Sequence, residues 1–415
     1  MNATLKKTTV YPQTTIKITG SKSETNRLLL LKALFPNLHV ANISNSDDSE
    51  AMQNALQEKA ESSDIRIVDI HHAGTAMRFL TAYFATKALS DVVLTGSQRM
   101  QERPIQILVE ALQQLGVEIT YEKNMGYPPI RIKGKKITAN EVTLKADISS
   151  QYISALLLIA PQLENGLQLN LEGTITSMPY LKMTLALLEE LGVSTHFEGN
   201  QIIVKPKAEV ASQVVTVESD WSSASYWYSI IALSEMGTQV TLSSYKKNSL
   251  QGDAALAEMY QKFGVETVFN ANHSITLSKI KGALDEVVRF ELNNSPDIAQ
   301  TIAVTCFGLG MGCDLYGLHT LKIKETDRLE ALQKELSKLG AAISVTNDSL
   351  HLKVSKENPL ENVKIATYQD HRMAMAFAPL ALKVPIVIEE AEVVSKSYPD
   401  FWNDLRNVGF TIEEN

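Results

Sequence analysis

The sequence predicts a mixed α/β fold in which one compact unit is used several times. Three observations carry this. A helix-ending phrase of an apolar residue, glycine and a second apolar residue recurs as Leu115-Gly116-Val117, Leu191-Gly192-Val193, Phe263-Gly264-Val265, Leu339-Gly340-Ala341 and Val408-Gly409-Phe410, and glycine just past a helix is the usual left-handed stop. The glycines stand about 76, 72, 76 and 69 residues apart, too far for a solenoid repeat and suited to a unit of several strands and helices. Short β-rich runs follow three of them, 202–205, 274–277 and 349–353. Two-stranded endings after helix pairs point to mixed sheets rather than a doubly wound parallel one.

Composition narrows the function. The 415 residues are 44% hydrophobic and 21% charged, an ordinary globular balance, and the length predicts two domains or more. The net charge of -8 argues against a nucleic-acid or membrane-surface partner. An anionic small molecule stays admissible, because a pocket can be basic on an acidic protein. Cys306 and Cys313 form neither a disulfide framework nor a zinc pattern and suit a reducing compartment. His71-His72 does not make a metal-ligand pattern, so no metal is expected. The N-terminus lacks the apolar core of a signal peptide, and no apolar run reaches the ~18 residues of a membrane span. The expectation is a cytoplasmic protein.

Taken in order, several apolar helices begin with polar, hydroxyl-rich caps, and four carry an arginine close to the start. Ser21-Lys-Ser-Glu-Thr-Asn-Arg27 precedes four leucines, and Ala73-Gly-Thr-Ala-Met-Arg78 precedes Phe79 and Leu80. Arg103 stands before Pro104. Asp147-Ile-Ser-Ser-Gln151 and Thr176-Ser-Met-Pro-Tyr180 keep the caps without the arginine. Residues 205–220 are polar and irregular, and a helix begins at Trp221, which places a domain boundary near Ser219. Asn294-Ser-Pro-Asp297 puts proline where a first helical residue tolerates it. Lys322-Ile-Lys-Glu-Thr-Asp-Arg328 alternates like a strand and then opens a helix, and Asp370-His-Arg372 opens another. Arginine in a first turn opposes the helix dipole by roughly 0.3–1 kcal/mol. Four such placements call for compensation, and an anion bound at the helix starts supplies it.

These stretches together resemble the enolpyruvyl transferase family, in particular the 3-phosphoshikimate 1-carboxyvinyltransferases. The residues that carry the resemblance run over nearly the full chain: 20–27, 73–78, Leu94-Thr-Gly-Ser-Gln-Arg-Met-Gln-Glu-Arg-Pro104, Ser149-Ser-Gln151, Ser295-Pro-Asp297, Lys324-Glu-Thr-Asp-Arg328 and Tyr368-Gln-Asp-His-Arg-Met373. The resemblance implies two similar domains, each of three β-α-β-α-β-β repeats forming an inside-out α/β barrel (EPT/RTPC-like). One domain would be 21–219, and the other 220–415 together with 1–20. It also implies closure of the two domains over the substrates, and a protein that works as a monomer. His72 and Phe79 depart from the Asn and Pro frequent in the family, and Met178 stands in place of a basic residue.

The reaction so implied is transfer of the enolpyruvyl group of phosphoenolpyruvate to the 5-hydroxyl of 3-phosphoshikimate, with release of phosphate. By resemblance, Lys22, Ser23, Arg27, Ser149, Ser150, Gln151, Ser177, Tyr180, Asp297 and Lys324 bind 3-phosphoshikimate. Lys22, Gly74, Arg103, Gln151, Arg328, Arg372 and Lys396 bind phosphoenolpyruvate. Asp297, Glu325 and Lys22 are the expected catalytic groups, supported by Thr75, His371 and Thr320. The inventory suits four anionic groups held close together, and addition followed by elimination needs acid–base groups on both sides of the reacting carbon. No metal or organic cofactor is implied. A related transferase acting on a UDP-sugar commonly uses a cysteine in its first half, whereas both cysteines here follow residue 300.

Overall fold

Among the described residues, five four-stranded sheets share one topology. In each, two parallel strands lie side by side, and two further strands continue antiparallel from the second of them, as a hairpin in the first four. The first sheet runs Arg66–Asp69, Asp91–Thr95, Ile130–Lys133, Glu118–Tyr121, and the second Glu141–Lys145, Leu167–Glu172, Gln201–Val204, Thr195–Glu198. The third is Gln13–Ile16, Gln239–Leu242, Ile275–Lys279, Val265–Phe269. The fourth is Val287–Glu291, Gly312–Tyr316, Leu350–Leu352, Ile343–Val345. The fifth, Val363–Ile365, Ile386–Ile388, Ala3–Leu5, Ile412–Glu414, takes its third strand from the chain's beginning. Parallel neighbours require a crossover, and a helix supplies it. The repeating unit is therefore β-α-β-α-β-β, as expected. The five glycines all have positive φ, from 71° at Gly264 to 112° at Gly409, the left-handed stops that the sequence predicts.

The structure is a computed structural model that describes residues 1–57, 65–146, 149–173, 175, 178–282, 285–355 and 357–414. The chain forms two compact units, Gly20–Val217 and Met1–Thr19 with Glu218–Asn415. The first holds helices α1 (Lys22–Leu34), α2 (Asp47–Leu56), α3 (Gly74–Thr86), α4 (Gln106–Gln114), α5 (Ser150–Ile159) and α6 (Met178–Glu190). The second holds α7 (Trp221–Leu233), α8 (Leu256–Met259), α9 (Ala299–Gly308), α10 (Arg328–Lys338), α11 (His371–Phe377) and α12 (Phe401–Asn407).

Position within the repeat decides how a helix is buried. The first helix of a repeat is buried nearly throughout, on all sides, as in α3, α5, α7, α9 and α11. The second shows one apolar stripe, as in α4, with Leu108, Val109, Ala111 and Leu112 inward, and α10, with Leu329, Leu332 and Leu336 inward. An enclosed helix must satisfy its interior polar side chains within the protein, as Ser154 of α5 and Thr305 of α9 do, and only those at its ends stay available to a ligand.

Three expectations change. Residues 321–324 are not a strand: a 3-10 turn spans His319–Ile323. Leu318 and Leu321 are both fully buried while Ile323 is 66% exposed, so the apolar period is three, the 3-10 spacing, and not two. The irregular stretch 205–220 contains a strand, Gln213–Thr216, paired parallel to Leu38–Ala41. Val215 points inward and Val214 outward, an alternation too brief to stand out from its polar neighbours. Arg27 and Arg78 are not in first turns, because α1 already begins at Lys22 and α3 at Gly74. Only Arg328 and Arg372, the first and second residues of α10 and α11, therefore stand against a helix dipole.

Candidate active site

In the second unit, three cations and three carboxylates meet at the starts of α10 and α11 and at the 3-10 turn Pro296–Ile298, which leads into α9. Asp370 caps α11, accepting from the Arg372 amide at 2.9 Å, and Asp327 caps α10. These caps fix the two arginines at the helix mouths. Arg328 is 2% exposed and donates from Nη1 to Asp297 Oδ1 at 2.8 Å, from Nη2 to Glu325 Oε2 at 2.8 Å and from Nε to Asp370 Oδ2 at 2.6 Å. Arg372 donates from Nη1 to the Asp297 carbonyl at 3.2 Å, and its Nη2 lies 3.4 Å from Asp297 Oδ2. Lys324 Nζ lies 3.4 Å from Asp297 Oδ1.

Charge follows geometry. Burial alone would raise the Asp297 carboxyl, but Lys324, Arg372 and Arg328 outweigh it and hold it far below the usual carboxylate range. Burial would lower the Arg328 guanidinium, and Asp370, Glu325 and Asp297 instead hold it above its ordinary value. Arg372 likewise stands well above, against burial, chiefly through Asp297. The first-turn arginines therefore find their counter-charge inside the protein.

Around this cluster lie further expected residues. Lys396 donates to the Gln369 carbonyl at 2.7 Å. Tyr368 and Gln369, both in left-handed backbone, make the turn into α11. The buried His371 ring has Nδ1 3.7 Å from Asp370 Oδ1. Thr320 lies on the 3-10 turn, with a buried hydroxyl that has no hydrogen-bond partner among the described residues.

The first unit gathers the other expected residues in three groups. Arg27, 2% exposed, donates to the Ser23 carbonyl (2.7 Å), Thr184 Oγ1 (2.8 Å), Ser154 Oγ (3.0 Å) and the Tyr180 carbonyl (3.3 Å). Its guanidinium also lies over the Phe79 and Tyr180 rings. On α5, Ser149 caps the helix by accepting from the Gln151 amide at 3.3 Å, Ser150 is buried in its first turn, and Gln151 Nε2 reaches Thr75 Oγ1 of α3 at 3.4 Å. At the start of α3, Gly74 leaves room for Arg103: a Cβ there would collide with Nη1 and stand 3.1 Å from Cζ. Lys22 is half-buried at the first position of α1. Ser177 lies outside the described residues.

Sequence reasoning missed three participants. Asp370 reads as a cap, yet it also holds Arg328; a carboxylate can do both because it has two oxygens. Arg78, 4% exposed, holds the segment that carries Arg103 by donating to the Pro104 carbonyl at 2.9 Å and to Met100 Sδ. Its place in the Ala73–Arg78 phrase was visible and its target was not. Asp253 is buried behind Ser222 and Arg372, and nothing in its local sequence marks it.

Comparison with known proteins agrees with this architecture. The sequence model of the family described as EPSP synthase (3-phosphoshikimate 1-carboxyvinyltransferase) matches residues 35–405. The chain is 46% identical over 403 residues to the 3-phosphoshikimate 1-carboxyvinyltransferase of Bacteroides fragilis (strain YCH46), covering 96% of each chain. It is 35% identical over 432 residues to that of Haemophilus influenzae (strain Rd), covering 95% of this chain and 96% of the relative. Among solved structures, EPSP synthase from Acinetobacter baumannii superposes with a TM-score of 0.79 at 20% identity over 99% of both chains. The enolpyruvyl transferase NikO from Streptomyces tendae gives 0.73 at 14% identity over 100% and 98%; both show the fold. With a family match over most of its length and relatives well above 30% identity, the chain belongs to the EPSP synthase (3-phosphoshikimate 1-carboxyvinyltransferase) family.

Proposed function

We propose that this chain transfers the enolpyruvyl group of phosphoenolpyruvate to the 5-hydroxyl of 3-phosphoshikimate and releases phosphate. The observation that carries the reading is Asp297, a partly buried carboxylate sharing Arg328, Arg372 and Lys324. Phosphoenolpyruvate brings a phosphate and a carboxylate, and Arg328, Arg372, Lys396, Arg103, Lys22, Gln151 and the space at Gly74 form the set that receives them. Ser23, Arg27, Ser149, Ser150, Gln151, Ser177, Tyr180 and Lys324, with Lys22 and Asp297, receive 3-phosphoshikimate.

The proton route follows from charge exchange. As it stands, Asp297 is a weak base, because three cations stabilise its ionised form. Substrate anions that take over Arg372 and Lys324 leave Asp297 with fewer cations, and its proton affinity rises. It then accepts the proton of the 5-hydroxyl as that oxygen bonds to the substituted carbon of phosphoenolpyruvate. The methylene gains a proton to become a methyl group. The resulting tetrahedral adduct loses a methyl proton and phosphate together, restoring the double bond. Glu325 and Lys22 handle the methylene and phosphate protons, and the clustered cations stabilise the departing phosphate.

The protein is read as a working monomer, and its compartment as the cytoplasm. No described helix is long and apolar enough to cross a membrane. A coupled assay for phosphate release from the two substrates tests the reading. Release that requires both substrates supports it. The absence of release from folded protein overturns it.

A further inference from the structure

Arg372 is held from a second side by a chain of two groups that the reaction itself does not call for. Its Nη2 donates to Ser222 Oγ at 3.2 Å, and Ser222 Oγ donates to Asp253 Oδ2. Ser222 sits in the first turn of α7, where Asp220 caps the helix by accepting from the Ser223 amide at 2.8 Å. Asp253 is 5% exposed on the 3-10 turn Gly252–Ala255. Three separate elements therefore meet end to end at the arginine.

The chemistry of this chain is directional. A serine hydroxyl has one proton to give. An ionised Asp253 can only accept, so the Ser222 proton is committed to it, and the serine lone pairs face Arg372. We propose that Asp253 and Ser222 are positioning residues that aim the Arg372 guanidinium at phosphoenolpyruvate. This rests on the assignment of Arg372 as a phosphoenolpyruvate ligand. Asp297 approaches the same guanidinium from the other side. When Asp297 turns to the substrate hydroxyl, the Ser222–Asp253 chain remains as the arginine's support.

Asp253 also has a distinctive titration. Burial pushes its carboxyl up to about 6; the Asp297 charge adds to this, Arg372 and the Ser222 hydrogen bond oppose it, and Asp220 adds a further upward push. Above that pH the carboxylate fixes the serine proton. Below it the protonated acid no longer does, and Arg372 loses its fixed acceptor.

The test compares the full-length wild type with Ser222→Ala, Asp253→Asn and the double variant in the phosphate-release assay. Each single variant is expected to raise the KM for phosphoenolpyruvate about tenfold, the scale of one hydrogen bond to a charged group, and to leave the KM for 3-phosphoshikimate within about twofold. The double variant is expected to match Ser222→Ala rather than multiply the two losses, because the groups act in series. The phosphoenolpyruvate KM of the wild type is expected to rise below pH 6 more steeply than that of Asp253→Asn, a difference that cancels the substrate's own ionisation. Unchanged phosphoenolpyruvate KM in variants with native circular dichroism overturns the inference. So do multiplicative losses or superimposable pH curves. A wild type that releases no phosphate overturns the functional reading instead, so the two failures are distinguishable.

Discussion

The arginines of the two units solve the same sequence problem in opposite ways. Among the described residues, Arg27 and Arg78 of the first unit have no carboxylate within 4.0 Å. Neutral carbonyls, hydroxyls and a thioether hold them, and burial pushes both guanidinium groups down to about 10. Arg103 adds to that push at Arg78. Arg328 and Arg372 of the second unit are buried too, yet carboxylates raise them. Arg27 and Arg78 meet carboxylate charge only at a distance, from Glu24 and Asp48, whereas Arg328 and Arg372 are paired with carboxylates directly. A phosphorylated acceptor suits the first condition. A substrate whose arrival must release a base suits the second.

The largest expected effect tests that release. Asp297→Asn should lower kcat by about 10²–10⁴, the usual worth of a general base, with the far-ultraviolet spectrum unchanged; a near-normal rate would remove Asp297 from the role. Stability comes next and sharpens the contrast between units. Arg328→Leu strands the buried Asp370 and the partly buried Asp297 and Glu325 and should cost about 3–5 kcal/mol by urea denaturation. Arg27→Leu strands only neutral groups and should cost about 1–3 kcal/mol. Equal losses would erase the distinction.

Asp253 gives a pH-dependent case. Its folded pKa of about 6 lies above the unfolded value of 3.8, so the folded state binds more protons between them. The stability this group contributes is full below pH 4 and is lost as pH rises through 6. Asp253→Asn should therefore be more stable than wild type at pH 7 by up to about 3 kcal/mol, at 1.36 kcal/mol per pKa unit, with the gain vanishing by pH 4. A gain independent of pH would contradict the shift. The smallest change is Gly74→Ala: the new methyl displaces the Arg103 guanidinium, so the phosphoenolpyruvate KM should rise severalfold while the melting temperature stays within a few degrees. An unchanged KM would separate Arg103 from that substrate.

How much was legible in the sequence depended on the range of the interaction. The repeat was readable because each glycine stop is a local backbone requirement, and all five are left-handed. The caps Asp327, Asp370 and Ser149 were readable for the same reason, since a cap and its helix are neighbours in sequence. The 3-10 turn at 319–323 is hidden in the sequence because Leu321 and Ile323 stand two apart, as on a strand face, and only the burial of Leu318 and the exposure of Ile323 reveal the period of three. The electrostatic contrast was not readable at all. Asp297 lies 31 residues from Arg328 and 75 from Arg372, and only the packed starts of α9, α10 and α11 bring these charges together.

The central claim is that Asp297 occupies the cations that phosphoenolpyruvate needs. Calorimetric titration of phosphoenolpyruvate into wild type and Asp297→Asn, without 3-phosphoshikimate so that no turnover occurs, tests it directly. Removing the competing charge should tighten binding by about tenfold, roughly 1.4 kcal/mol, in a variant that has lost turnover. Binding that is unchanged or weaker in Asp297→Asn would contradict the exchange of carboxylate for substrate.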